Sequence, residues 1–259
     1  IPILFSNSST SLGFSIIVLT IIIRFALYPL MTTQLKASKK MQDLAPHLSR
    51  LKAKLKGDAK TLQQETMRLY KEFGVNPAAG CLPILVQLPI IWGLYSVLTK
   101  ALSYGPSNMV SEINKLAYSA FLKISKPWDV YFLGLPLAKN PSELMSTIGP
   151  AILLVPILTG VFQFIQSKML MSAIPKKEDK KIIEAKSGGA KKDDDFATAF
   201  QKQSLYIFPI MIGFFSYTFP IGLSLYWNTF TIFGIIQQYK VSGLGALEET
   251  INKYGKKLK

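Results

Sequence analysis

The sequence predicts an all-α polytopic membrane protein in which five transmembrane helices alternate with polar connections. Hydrophobic residues make up 49% of the 259 residues, and charged residues make up only 17%. The apolar residues stand in long uncharged blocks, and about 20 such residues are enough for a helix to cross the ~30 Å hydrocarbon core of a bilayer. The net charge of +15 collects between these blocks, as expected for loops that face anionic lipid.

The first predicted span, residues 12–31, follows a short outer lead and completes the segment 1–31. It contains one charged residue, Arg24, which lies roughly 12 Å from the end of the span at Thr32. None of the five predicted spans contains Asp or Glu, so Arg24 has no intramembrane counter-ion in its own chain. Such a charge must be solvated by water and polar groups, or must meet an acidic group of another molecule. Snorkelling of Arg24 toward the interface is the alternative.

Residues 32–75 predict a polar cytoplasmic hairpin of two helices. Apolar residues recur at spacings of three and four on the first helix, which is a heptad seam, and Pro46 should kink that helix or mark where it restarts. Gly57 should break the helix, Asp58 should cap the second helix, and Gly74 should end it. The predicted contact faces are Met41, Leu44, Leu48, Leu51 and Leu55 on the first helix, and Leu62, Thr66, Leu69 and Phe73 on the second.

The middle of the chain predicts two further spans separated by a long connection. Residues 76–102 contain the second span, with Gln87 as its amide, and its prolines predict an irregular helix. Residues 103–143 have mixed composition and are predicted to form an ordered loop on the outer side. Residues 144–171 form the third predicted span, and its two amides are Gln163 and Gln166.

The last part of the chain predicts a charged loop followed by two closely linked spans. Residues 172–203 are rich in charge and should be largely disordered. Within 204–239, the residues from 205 onward carry no charge and predict the fourth and fifth spans, with a turn at 219–222. Ser224, Asn228 and Thr231 recur on one face of the fifth span, either as the wall of a polar site or as contacts between helices. Residues 240–259 form a short basic tail.

The distribution of Lys and Arg predicts the orientation of the chain. The successive connections carry ten, four, eight, none and five of these residues, which places the hairpin, the charged loop and the tail in the cytoplasm and the N-terminus outside. One cysteine and one histidine provide no metal site, and no P-loop or intramembrane catalytic pair is present. We therefore expect no cofactor and no enzymatic activity.

Four segments in register resemble the YidC/Oxa family of membrane protein insertases. They are Arg-Phe-Ala-Leu-Tyr-Pro-Leu at 24–30, the basic hairpin, the proline-rich entry to the second span at 75–89, and 219–228 together with the Gln pair at 237–238. The resemblance implies a chaperone and insertase that takes nascent membrane proteins from the cytoplasm into a hydrophilic groove and releases their helices into lipid. Five helices would surround this groove, which would be open to the cytoplasm and closed to the outside.

The resemblance also implies the site, the partners and the location. The ribosome would bind through the hairpin, the charged loop and the tail, with anionic lipids and a Sec-type translocon as further partners, at the bacterial cell membrane. The chain begins at Ile1 and carries no large outer domain, which fits a Gram-positive-type or trimmed member. The expected client-binding groove residues are Arg24, Thr20, Gln87, Gln163, Gln166, Ser224, Trp227, Asn228 and Thr231, with the choice between the two third-span amides open.

Two other functions remain possible at this stage. A small anion transporter could use Arg24 as its substrate ligand, although the chain has no evident inverted repeat and no intramembrane carboxylate for proton coupling. A purely structural assembly factor is the third possibility. Contact with many unrelated nascent chains would distinguish an insertase from both.

Overall fold

The computed structural model describes residues 11–55, 57–74, 82–116, 119, 123, 129–170, 193–248 and 251. The outer lead, the turn before the second predicted span and most of the charged loop lie outside these residues. The described chain is mainly helical, as the apolar blocks predict. Its elements are α1 Ser11–Ala26, α2 Tyr28–Lys54, α3 Ala59–Glu72, α4 Leu82–Leu116, β1 Tyr131–Phe132, β2 Leu135–Pro136, α5 Pro141–Ile148, a 3-10 turn Pro150–Leu153, α6 Leu154–Leu170, α7 Asp193–Thr218 and α8 Ile221–Ser242.

The chain divides into two compact units, and the first comprises Ile1–Tyr28, Ile84–Gln163 and Pro209–Phe233. Its apolar core joins the N-terminal turns of α1 and α8 to α4, α5 and the segment that contains the β-hairpin. No single helix or hairpin can bury its own apolar face, so these elements are stabilised by packing together. The buried core residues are Leu12, Ile16, Leu98, Leu137, Leu144, Ile152, Ile221, Leu223 and Tyr226.

The second unit comprises Pro29–Pro83, Phe164–Phe208 and Gly234–Lys259, and it contains the helical hairpin. Asp58 is the N-cap of α3, as predicted, because its carboxylate accepts a hydrogen bond from the Thr61 backbone N–H at 3.0 Å. Hydrogen bonds from the side chain and the backbone of Thr61 lower the pKa of Asp58. The rings of His47 on α2 and Phe73 lie 5.4 Å apart, so the C-terminal end of α3 contacts the C-terminal half of α2.

Of the two outcomes predicted for Pro46, a kink or a restart of the first hairpin helix, the restart does not occur. α2 continues through Pro46 as one helix of 27 residues. A proline costs about 3 kcal/mol in a helix interior, but good helix formers and the apolar seam continue on both sides of it.

Several predicted boundaries also need correction. α1 ends at Ala26, and α2 begins at Tyr28, which places Pro29 in its first turn, where proline is best tolerated. α4 extends to Leu116, so residues 103–116 belong to a helix and not to a loop. The third span begins at Pro150 instead of residue 144, because Gly149, with a φ of 77°, ends α5.

The start of α7 replaces part of the loop predicted to be disordered. This helix begins at Asp193 and runs without interruption to Thr218. Residues 193–203 are therefore helical.

Within the described residues, one helical segment, Pro150–Leu170, is long and apolar enough to cross a membrane by itself. The helices Leu12–Ala26 and Tyr28–Leu48 are long and apolar enough to cross a membrane only if they are counted as one bent span. Leu205–Thr218 is a shorter apolar helix. The polar residues of α8 lower its mean hydropathy, so length and composition alone do not identify it as a span. The number of five spans stays a prediction.

Candidate functional site

Arg24 lies in the last turn of α1, and its side chain is only 3% exposed. One Nη group donates a hydrogen bond to the backbone carbonyl of Phe230 on α8. The guanidinium carbon also lies 3.4 Å from the centre of the Phe230 ring and 5.8 Å from that of Phe233. Within the described residues, no carboxylate pairs with Arg24, as the absence of acidic residues from the predicted spans implies.

A continuous set of contacts connects Arg24 to α4. The Phe230 ring, which contacts the Arg24 guanidinium, also stacks on the Tyr226 ring, with ring centres 5.8 Å apart. The Tyr226 hydroxyl in turn accepts a hydrogen bond of 2.9 Å from Nε2 of Gln87. The amide of the second predicted span is thus linked to the arginine of the first through two aromatic residues. An aromatic face and a peptide carbonyl can hold a cation without neutralising it.

Gln163 of α6 and Trp227 of α8 form the second polar contact of the same unit. The indole Nε1 donates to Gln163 Oε1 at 3.2 Å. This contact brings together two predicted groove residues that are 64 positions apart in the sequence. Gln166 belongs to the second unit and is half-buried. We call Arg24, Gln87, Gln163, Tyr226, Trp227 and Phe230 together the Arg24 site.

A chain of buried hydroxyl groups joins α6, α7 and α8. Thr159 Oγ1 lies 3.2 Å from Ser216 Oγ, which lies 2.7 Å from Ser224 Oγ. Next to this chain, α6 and α7 approach closely at Gly160 and Gly213, where an added Cβ would meet backbone atoms at 3.4 and 3.3 Å. Ser224 therefore contacts neighbouring helices. Contact between helices was one of the two roles that the sequence allowed for the polar face formed by Ser224, Asn228 and Thr231.

The other predicted residues occupy different surroundings. Thr20 is fully buried and donates to the Ile16 carbonyl of its own helix at 2.6 Å, so its hydroxyl is already used. Thr231 is also buried. Asn228 is half-buried, and its Oδ1 has no hydrogen-bond partner within the described residues.

Arg24 also retains hydrogen-bonding capacity. A guanidinium carries five N–H donors, and Nε of Arg24 is buried with no acceptor within the described residues. A buried donor without an acceptor is costly, and a buried unpaired charge is more costly still. The site is therefore electrostatically prepared for an acceptor, and a carboxylate would be the strongest one.

Within the described part of the chain, no group of three or more His, Cys, Asp or Glu residues could hold a metal ion. The Arg24 site can present a fixed positive charge, two amides and the Tyr226 hydroxyl among aromatic side chains. Those are the requirements for binding a polar segment transiently.

Sequence reasoning missed the aromatic partners of Arg24 and the hydroxyl partners of Ser224. In the sequence, Phe230 and Tyr226 resemble ordinary apolar residues of a span. Helical periodicity shows on which face of its helix a residue lies, but not which other helix that face contacts. The spacing of Tyr226 and Phe230, four residues apart on the helix that carries the polar face, was the available signal.

Comparisons with known proteins identify the family of this chain. The family model described as 60Kd inner membrane protein matches residues 4–245. A membrane protein insertase YidC of Fusobacterium nucleatum is 32% identical over 234 residues, which cover 90% of this chain and 87% of that protein. Membrane protein insertase MisCA of Bacillus subtilis is 35% identical, over 89% of this chain and 70% of that protein.

A third relative, a membrane protein insertase YidC of Oceanobacillus iheyensis, is 34% identical over 87% of this chain and 72% of its own length. The matched region includes every residue of the Arg24 site. Because the family model matches residues 4–245 and each of these relatives aligns with 87% or more of this chain, the chain belongs to the YidC/Oxa family of membrane protein insertases, also described as the 60Kd inner membrane protein family.

Proposed function

We propose that this protein, as a membrane protein insertase, receives the polar end of a nascent membrane protein at the Arg24 site and releases the client helix into lipid. The observation that carries the proposal is the buried guanidinium of Arg24, which has an aromatic face and a peptide carbonyl as partners but no carboxylate in the described chain. A charge kept in such a position costs free energy, so its retention calls for a function.

The energetic problem of insertion explains how this charge would act. Moving a hydrated acidic tail across a bilayer is limited by the loss of its hydration in the hydrocarbon core. A polar cavity that reaches partway into the membrane shortens the apolar path, and Arg24 adds a positive charge at its inner end. The client carboxylate binds there because the aromatic partners of Arg24 leave the positive charge of the guanidinium uncompensated. This binding is transient.

Release follows from the partition of the client into lipid. Each buried CH₂ group contributes roughly 0.8 kcal/mol, so a client helix gains more by entering the bilayer than its tail loses on leaving the site. The membrane potential can add about 2.3 kcal/mol per charge per 100 mV. No covalent step and no nucleotide are needed for this cycle.

The membrane arrangement is part of the proposal. Five spans surround the site, with the N-terminus outside and the basic hairpin, charged loop and tail in the cytoplasm. The alternation of Lys and Arg supports this orientation. The large apolar side chains exposed on the first unit, such as Ile210, Phe214 and Ile157, support a lipid-facing outer surface.

Further contacts would lie on the cytoplasmic side. The ribosome and anionic lipids would bind the basic hairpin, loop and tail by charge, and a Sec-type translocon is an additional candidate partner. The concentration of Lys and Arg in these segments supports the proposal. Such binding should weaken steeply as the salt concentration rises.

The test of the proposed function is insertion by the purified protein. The protein is reconstituted in vesicles without an energy source, and a single-span client with a short tail is added during synthesis. We expect protease protection of the tail, and Arg24→Ala should reduce the protected fraction. Equal protection in protein-free vesicles would refute the proposal.

The anion-transporter alternative has no support from the relatives, all three of which are named as insertases.

A further inference from the structure

The segment 129–140, which contains the β-hairpin, caps two helices of the first unit. The backbone N–H groups of Ile221 and Gly222, at the start of α8, donate to the carbonyls of Lys139 and Leu137 at 3.0 and 2.7 Å. The N–H of Leu12 in the first turn of α1 donates to Asp129 at 3.4 Å. The first N–H groups of a helix have no acceptor within the helix, so these carbonyls satisfy donors that would be costly to bury.

One side chain of the hairpin fills a place that only glycine leaves open. A Cβ added to Gly13 of α1 would lie 2.2 Å from the ring of Phe132 and 2.8 Å from its Cβ. The Phe132 ring therefore rests directly on the backbone of α1. The rings of Phe132 and Phe14 also form a T-shaped pair, with ring centres 5.6 Å apart. The adjacent tip residue, Leu133, points away and is 81% exposed.

Beneath the hairpin lies the apolar core of the first unit. Leu137 follows β2 and is buried with Leu12 of α1, Leu98 of α4 and Ile221 of α8. Gly222 permits close packing here, since its Cβ would meet Leu98 at 2.8 Å. This layer belongs to the N-terminal turns of α1 and α8, whereas Arg24 lies eleven residues after Gly13, or roughly 16 Å along the helix.

We propose that segment 129–140 is the permeability seal of the first unit, with Phe132 as its stopper and Gly13 as the seat of that stopper. The inference rests on the proposed function in one respect, because only a hydrated Arg24 site requires a seal. A polar cavity that reaches into the bilayer would conduct ions if water entered from both ends. The hairpin and its apolar layer close the end from which α1 and α8 begin.

The seal is tested by the ion permeability of vesicles that contain the full-length protein and no client. The vesicles carry a pH-sensitive dye, and the rate of internal pH change is measured after an external pH step. Phe132→Ala removes the stopper, and Gly13→Leu displaces it. Each should raise the leak rate by about tenfold. Leu133→Ala, a truncation in the same hairpin that leaves the seat intact, should leak like the unmodified protein.

A reversible variant covers the case in which a substitution impairs folding. Gly13→Cys and Phe132→Cys are combined with Cys81→Ser, because the two Cβ positions are close enough for a disulfide after a small adjustment. The oxidised protein should be tight, and reduction should open the leak in the same vesicles. Equal leak rates before and after reduction, or leak from both single variants at the unmodified level, would overturn the proposal.

Client insertion is measured separately in these vesicles. Failure of the seal alone would appear as normal insertion with unchanged permeability in Phe132→Ala. Failure of the proposed function would appear as absent insertion by the unmodified protein, whatever its permeability. The two proposals are therefore distinguishable.

Discussion

Replacement of Arg24 is the change that most directly probes the proposed attraction of client carboxylates. Arg24→Ala removes the charge, while Arg24→Lys keeps a charge that can still approach the Phe230 carbonyl and ring. We expect Arg24→Lys to retain most activity. We expect Arg24→Ala to fail for clients with acidic translocated tails and to be milder for clients with neutral tails.

The expected size of the effect follows from the surroundings of Arg24. A carboxylate ~4 Å from the guanidinium gains about 4 kcal/mol at an effective dielectric constant of ~20. Loss of carboxylate hydration offsets much of this gain. If about a third of it survives, each bound carboxylate is worth about 1.4 kcal/mol, or tenfold in rate. Loss of that term should slow insertion about tenfold for an acidic tail relative to a neutral tail.

The assay measures insertion of a matched client series in which the tail charge varies from zero to minus three. The unmodified protein and both variants are compared in the same membranes at equal protein levels. A loss in Arg24→Ala that is the same for every client would refute the attraction and leave a structural role. A snorkelling arginine would instead make Arg24→Ala nearly harmless for all clients, because removal of the charge eases its insertion.

Three further predictions concern local structure. Phe230→Leu should lower the thermal midpoint of unfolding because it removes a desolvated cation–π contact worth about 2 kcal/mol. The same substitution should have less effect in a protein that already carries Arg24→Ala. Asp58→Ala should accelerate hydrogen exchange of the Thr61 amide. Because the pKa of Asp58 is lowered in the folded protein, its stabilisation is complete above the ordinary pKa and lost as pH falls through the lowered one. Leu133→Gly should raise the thermal midpoint, since Leu133 has a φ of 51° and glycine relieves roughly 1 kcal/mol of strain there.

Much of the architecture follows from patterns that act over short distances. Long uncharged blocks predict helices because a buried backbone must satisfy its own hydrogen bonds. Asp58 was recognised as a cap because the donor it satisfies lies only three residues away, at Thr61. The lack of a carboxylate partner for Arg24 within the described residues could be predicted because no predicted span contains Asp or Glu, whereas its burial was one of two alternatives. These conclusions need no knowledge of which helices are neighbours.

The contacts that define the site depend on neighbours and could not be predicted in this way. Phe230 and Arg24 are 206 residues apart, and nothing in either helix specifies the other. The seat of Phe132 at Gly13 is also a contact between distant segments. The predicted start of the third span, residue 144, differs from the observed start at Pro150 for another reason, since Gly149 and Pro150 form a helix break that composition alone understates.

Photocrosslinking from Asn228 tests the central claim most directly. A photoreactive residue replaces Asn228, which is half-buried on the polar face of α8, and in a matched protein it replaces Ile210, which is 71% exposed on α7. Ribosomes carrying stalled nascent chains of several unrelated membrane proteins are then irradiated with each protein in membranes. The account predicts that most of these chains crosslink to position 228 before insertion is complete, and that fewer do so from position 210. Equal crosslinking from both positions, or none from position 228 in a protein that still inserts clients, would contradict it.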